Sequence, residues 1–250
     1  MTDIQGGKLV GLDVIDSNVD SILEEVEEIE GHLHCQNKVY GIAAAAPLIA
    51  SRGSTAPLTV TGGNATTGTS MLLSKGSFDS VYFDPSKIQI SAVSVANSPT
   101  LLEFYSGVLG GAVAYTGEAD DDVVTASGHG LSNGERFIFD TLNNETYGVT
   151  TNVVYFARDV SGTTFKVATT STGGAINITT DISGNIKKIS SPTLKTEVMI
   201  SMASTTSDAQ AIEIACLRIL SAAAFWVVAK SKSGDTTSVS FFLDIHDYAV

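Results

Sequence analysis

The apolar residues Leu12, Ile15, Val19, Ile22, Val26, Ile29 and Leu33 recur at alternating intervals of three and four. This is the heptad seam of a coiled coil, and a helix with so narrow an apolar stripe is unstable alone in water. The seam therefore demands company, and the simplest company is copies of itself. The seam residues from Ile15 to Ile29 are all β-branched, a choice that moves parallel coiled coils from dimers towards trimers. The expectation is a homotrimer zipped at its N-terminus, with residues 1–35 forming an arm and a coiled-coil helix and those seven residues at the trimer interface. Glu24, Glu25, Glu27, Glu28 and Glu30 crowd the C-terminal half of this helix, against the sense of the helix dipole. In parallel copies Glu25 and Glu30 flank the seam and repel one another. A stalk that also docks into a larger assembly accounts for both the seam and the glutamates.

Behind the stalk the pattern changes. Residues 36–69 are broken by Ala43-Ala44-Ala45-Ala46-Pro47, Arg52-Gly53-Ser54, Pro57 and Gly62-Gly63, and are expected to form a linker. From Ser70 onward, apolar residues alternate with polar or small ones. Ser70–Ser74, Ser80–Phe83, Lys87–Val95 and Leu101–Tyr105 read as short strands, with a turn expected at Asp84-Pro85-Ser86. No helical crossover of the length a parallel sheet requires lies between them, so the strands are expected to be antiparallel. After Pro192 the same style resumes: Thr196–Met202, Ala211–Leu220, Phe225–Lys230 and Ser238–His246 read as four more strands. Two of these are apolar enough to be central and buried on both faces.

Hydrophobic residues make up 43% of the 250-residue chain and charged residues 16%, with Gly, Ser and Thr abundant. That balance suits a β-rich assembly protein better than a metabolic enzyme. A formal charge of −13, from 27 acidic and 14 basic residues, argues against nucleic acid as a partner. It argues equally against an anionic membrane surface. No secretory signal is visible in MTDIQGG, and the apolar patches Gly41–Ala50 and Ser221–Ala229 fall short of the roughly 20 residues a membrane span requires. Cys35 and Cys216 lie far apart, with no CxxC spacing, and Cys216 reads as a small core residue.

Residues 116–190 have a character of their own. They open with Glu118-Ala119-Asp120-Asp121-Asp122, then carry GHGLSNGERFIF (128–139), VVYFARDVSGTTFKVA (153–168) and TGGAINI (172–178). In this order the three motifs resemble a small β-module found in tailed-bacteriophage virion proteins, as a turn and strand, a hairpin and a further strand. The flanking segments, with FDPSKIQISAV, TEVM, FWVVAK and FFLDIHDY, resemble a phage capsid-associated or fibre-type β-sandwich. The fold class expected is mainly β: an N-terminal coiled-coil helix, then an antiparallel jelly-roll-like sandwich of residues 70–115 plus 191–250, interrupted by a small inserted β-domain at 116–190. The resemblance implies a structural virion protein, assembled in the bacterial host cytoplasm and carried in the virion. It implies a homotrimeric capsid decoration or head-fibre protein whose partners are its own copies and the major capsid protein or another virion protein. A tail-fibre or receptor-binding protein contacting host surface glycans is the alternative, with Tyr147, Tyr155 and Phe156 as its ligand-contacting aromatics.

Residue clusters that suggest chemistry have plainer readings. His32, His34 and Cys35 would need the threefold axis to assemble a metal site, and alternate residues at a fraying helix end point different ways. Asp120, Asp121 and Asp122 lack the alternating spacing of a calcium loop and read as a solvated acidic turn. His129, between two glycines, reads as a turn residue. His246, flanked by Asp244 and Asp247, is the most enzyme-like group, yet no nucleophile elbow accompanies it. Gly62-Gly63-Asn64 and Gly173-Gly174 lack phosphate-loop spacing. Trp226, beside Phe225, reads as core or trimer interface rather than a sugar platform. No catalytic residues, cofactor or metal are expected.

Overall fold

The computed structural model describes residues 37–43, 46–52, 58–62, 69–75, 82–143, 148–151, 153–205, 210–213, 219–220, 222–233 and 236–248. The seam from Leu12 to Leu33, together with His32, His34, Cys35, Tyr147 and Cys216, lies outside them. The described chain is mainly β, in two antiparallel sheets. In chain order the strands are β1 (Asn37–Ala43), β2 (Ala46–Arg52), β3 (Leu58–Gly62), β4 (Thr69–Lys75), β5 (Tyr82–Val93), β6 (Thr100–Glu118), β7 (Val123–Thr125) and β8 (Arg136–Leu142). They continue with β9 (Tyr155–Ser161), β10 (Thr164–Ala168), β11 (Ile182–Ile200), β12 (Gln210–Glu213), β13 (Ile219–Leu220), β14 (Ala224–Ser231) and β15 (Thr237–Tyr248).

The first sheet runs β12-β5-β15-β1-β2, with β13 also on β5 and β3 also on β15. The second runs β11-β8-β9-β10-β7-β6-β14-β4, and β11 pairs in addition with β6. That extra pairing closes a ring. From β6 through β7, β10, β9, β8 and β11 back to β6, each strand has a partner on both sides, and every pairing is antiparallel. The result is a six-stranded closed barrel, which removes sheet edges altogether. Below it, the other halves of β6 and β11 continue side by side, Thr100–Ser106 against Thr193–Ile200, and β14 and β4 extend that sheet.

Period-two alternation assigns each side chain to a layer. Leu73, Ile90, Leu102, Phe104, Ile200, Phe225, Val227, Phe241 and Leu243 belong to one buried cluster drawn from both sheets, the core of a two-sheet body. Phe137, Phe139, Tyr155, Phe165, Val167 and Ile186 fill the barrel as an aromatic network, with Phe137 edge-on to Phe165 at 5.2 Å. Leu72, Ile138, Val154, Ile189, Ala224 and Trp226 form a third cluster between barrel and body. Ile138 sits between Phe137 and Phe139 in sequence and faces the opposite way, so β8 is buried on both faces. The same holds for β14, where Ala224, Phe225, Trp226 and Val227 are all buried, as its apolar run predicts.

Several local expectations need correction. Residues 36–69 are not a linker throughout, since they supply β1, β2 and β3, paired into the first sheet. Gly62 ends a strand there rather than abolishing one. The partner of β1 and β3, β15, lies at the far end of the chain, beyond the reach of local pattern reading. Asp84-Pro85-Ser86 is not a turn. It lies inside β5, where a register shift between Asp244 and Ile245 of β15 accommodates the proline. Ala211–Leu220 yields two short strands, β12 and β13, both on β5. The segment 172–178 is not a strand; bonds from Ile176 N–H to Val167 O (2.7 Å), from Ile178 N–H to Asp122 Oδ1 (2.7 Å) and from the Arg158 guanidinium to Gly173 O hold it to the barrel. The limits at 115/116 and 190/191 fall inside the continuous strands β6 and β11 rather than in loops, the first in a stretch of unbroken register and the second beside an irregularity. Ser191 has φ 48°, and the β6–β11 register shifts between Ser190 and Thr193.

Candidate functional site: the cleft between barrel and body

Where the barrel leans on the body, a cleft of about 400 Å³ opens. Its floor comes from the face of β6 and β14 that is turned from the body core. Cross-strand register sets Trp226 directly opposite Tyr105, and their rings stack with centroids 5.5 Å apart and planes 11° from parallel. Glu103, two residues from Tyr105, shares this face and is buried. Lys230 Nζ donates to its Oε1 at 2.6 Å, and the Tyr105 hydroxyl donates to its Oε2 at 2.9 Å. Burial first, and then the hydrogen bond to the Glu103 carboxylate, push the Tyr105 phenol up to about 12. The phenol is thus a donor throughout the neutral range.

The barrel supplies the facing wall. Arg136, at the start of β8, is paired in register with Phe156 of β9, and its guanidinium lies over that ring, 4.9 Å from the centroid. Burial pulls the Arg136 ionisation below its usual range. The Thr169–Thr172 segment after β10 forms the lip. Two cations, Arg136 and Lys230, and one carboxylate, Glu103, line the cleft. Because Lys230 is matched to Glu103, Arg136 carries the unbalanced charge.

Barrel and body are fastened beside this cleft. The Ser70 hydroxyl donates to Val154 O (3.0 Å) and accepts from Val154 N–H (3.1 Å). Lys75 Nζ donates to Asp140 O at 2.7 Å, and the Asp140 carboxylate is also paired with Lys187 at 3.1 Å.

The aromatics singled out from the sequence separate. Phe156 lines the cleft, whereas Tyr155, its neighbour, points into the barrel core with its hydroxyl accepting from Thr150 N–H at 2.8 Å. Trp226 is buried, 1% exposed, yet it forms part of the cleft floor. His129 is a structural clip. Its Nδ1 accepts from Leu131 N–H at 2.9 Å, which leaves Nε2–H to donate to Gly162 O at 3.1 Å and tie the 128–131 turn to the β9–β10 hairpin. The acidic turn is tied down as well. Asp121 Oδ1 accepts from Val123 N–H (3.0 Å), and Asp122 supplies the bond to Ile178 noted above. Among the described residues, no group of three or more His, Cys, Asp or Glu is gathered as a metal site would need. The backbone of His246 lies in β15, opposite Asp84.

Sequence reading missed Glu103, Tyr105, Arg136 and Lys230. Two signals were available: a single carboxylate inside the apolar run TLLEFYSGV, and a lysine ending FWVVAK at the spacing that shares a face with Trp226. Arg136 carries no such local signal, because its partner Phe156 is brought to it only by barrel closure. Compared with protein-family models, curated proteins and solved structures, the chain matches none.

Proposed function

We propose that this chain is a structural protein of a tailed-bacteriophage virion, a homotrimeric capsid decoration or head-fibre protein that attaches to the capsid and displays the barrel outward. One observation supports this most. The barrel does not hang on a flexible loop; it grows from the body on two continuous 19-residue strands, β6 and β11, and packs against the body through the Trp226 cluster. A rigid root of this kind suits an element built to project from an assembled surface. In this reading the two-sheet body is the jelly-roll-like sandwich, the barrel is the inserted phage module, and the seam at residues 12–33 is the trimerisation stalk. Three copies bridging neighbouring capsid subunits would turn modest contacts into firm attachment. The chain's net charge of −13 suits docking of its acidic stalk on a basic surface of a major capsid protein or another virion protein.

Sedimentation equilibrium of the full chain at micromolar concentration tests the assembly. A trimer that dissociates in the Ile22→Asp, Val26→Asp double variant supports the reading, and a wild-type monomer overturns it. Copy number per particle then separates the two virion roles. Copies on the scale of the capsid lattice support decoration, while copies confined to the tail or a single vertex transfer the assignment to a tail-fibre protein.

A further inference from the structure

We infer that the cleft between barrel and body binds a carboxylate-bearing sugar unit, of the uronic- or sialic-acid type, with Arg136 as the charge anchor. The inference concerns the isolated chain and does not depend on the virion assignment.

The chemistry starts with Arg136. A half-buried guanidinium is costly unless it is paired, and buried charges in proteins are normally matched. Glu103, the one carboxylate in the cleft, is already engaged by Lys230 and Tyr105. Among the described residues Arg136 has no carboxylate partner. It instead sits over the Phe156 ring, a contact that uses none of its N–H groups and leaves the fork for a planar carboxylate. The chain as a whole is strongly acidic, so an unmatched cation held in a preformed cleft is a local reversal of sign, the kind of feature that selects an anion.

The rest of the cleft narrows the class of anion. About 400 Å³ accommodates a ring-sized ligand, far more than a bare inorganic ion needs. The hydroxyls of Thr169, Ser171 and Thr172 stand exposed on the lip, with no hydrogen-bond partner among the described residues. The indole N–H of Trp226 likewise has no acceptor among them, and its nitrogen is not sealed from solvent. Three free hydroxyls, one free indole N–H, an aromatic floor and one guanidinium together match a polyhydroxylated ring carrying one carboxylate.

Trp226 is the single tryptophan of the chain, so its fluorescence reports on the cleft directly. Full-length protein is titrated with D-glucuronate, a glucuronate-containing tetrasaccharide and sialyllactose, alongside neutral D-glucose, lactose, sodium acetate and inorganic phosphate. A saturable emission change with at least one acidic sugar, absent with the neutral sugars and with the small anions, is the expected result. Arg136→Gln should weaken it at least about tenfold, the loss expected for one charge-assisted carboxylate contact. Equal responses to acetate or phosphate would make the cleft a general anion site and overturn the sugar assignment. Equal responses to glucose or lactose would overturn the role of Arg136, as would undiminished binding in Arg136→Gln. No saturable response to any acidic sugar overturns the inference outright. Should Arg136→Gln fail to fold, the exposed-lip variant Ser171→Ala, Thr172→Val decides: a several-fold weaker response with an unchanged melting temperature supports the site, and unchanged binding overturns it.

Discussion

The barrel and the two-sheet body solve the same problem, burial of alternating apolar faces, in different ways. The body stacks two open sheets over a largely aliphatic core, whereas the barrel closes on itself around a network of aromatic rings. The open sheet carries a bulge between two of its inner strands, β5 and β15, around Pro85. A closed ring of six strands has no margin, so an error in one seam is an error in the whole ring. The position most exposed to this is Gly184, at the seam of β8 and β11. Its φ is +151°, and a Cβ placed there would run into the carbonyl oxygen of Thr141. Gly184→Ala should cost about 3 kcal/mol or more in denaturant unfolding, since it combines a disfavoured backbone with a backbone clash. Hydrogen exchange on Gly184→Ala separates the two regions. Amides of β8–β10 should lose protection while those of β5 and β15 keep theirs; equal loss in both would show that the two regions are one cooperative unit.

The two regions also differ in how they hold charge. At the foot of the barrel, the body buries Glu103, whose side chain is 7% exposed, and satisfies it with Lys230. Removing the lysine strands a carboxylate in a place water scarcely reaches, so Lys230→Met should destabilise by about 3 kcal/mol. Adding Glu103→Gln to that variant should recover most of the loss, because the penalty belongs to the unpaired charge rather than to the missing bond. A double-mutant cycle in urea measures this. A cost that persists in the double variant would assign it to lost packing of the lysine stem instead.

How much of this was legible in the sequence follows from which contacts are local. The strands around Leu72, Ile90, Phe225 and Phe241 show their alternation plainly, and the both-faces burial of β14 follows from an apolar run too rich for one face. The hairpin of β9 and β10 was expected only as part of the resemblance to a phage module, and its turn carries Gly162 at positive φ. Barrel closure was not legible, because it depends on β11 pairing with both β6 and β8, whose residues lie far from it in the chain. The cleft inherits that blindness: Arg136 meets Phe156, and both face Trp226, only once the ring is closed and docked. Pro85 misled for the opposite reason, since its local preference for a turn is overridden by pairing with β15.

Tyr105 links the two regions and should report on their junction through pH. Its phenol ionises near 10.0 when unfolded and near about 12 when folded. Between those values the folded protein keeps a proton that the unfolded chain has lost, so this contribution to stability is complete below pH 10 and declines as pH rises through the folded value. Tyr105→Phe should remove that alkaline decline relative to wild type, while costing about 1 kcal/mol at neutral pH for the lost bond to Glu103. Tyr115, whose phenol is raised by burial in the barrel, remains in both proteins and cancels in the difference. An unchanged alkaline profile would mean that Tyr105 is open to solvent and that the cleft floor is looser than the stacked pair with Trp226 implies.

The smallest effect is expected where the barrel carries its own ion pair. Lys188 Nζ donates to Glu135 Oε2 at 2.6 Å, a shorter contact than many buried bonds, yet the two side chains are 30% and 38% exposed. Solvent screens such a pair, and the entropy of fixing a lysine offsets most of the attraction, so Lys188→Met should cost under about 1 kcal/mol at pH 7. The Lys188 hydrogen bond, and then the Ser132 N–H, hold the Glu135 carboxyl below the usual carboxylate range. The stabilisation is therefore present at neutral pH and lost as pH falls through that lowered value. Wild type and Lys188→Met should converge in acid, and added salt should shrink their neutral-pH difference. Lys230→Met should show the reverse, a large gap that salt leaves nearly untouched, because its partner is shielded from the ions that screen Glu135. If salt closes both gaps alike, Glu103 is wetter than its burial indicates, and the distinction between a buried charge at the root of the barrel and an exposed one on its wall collapses.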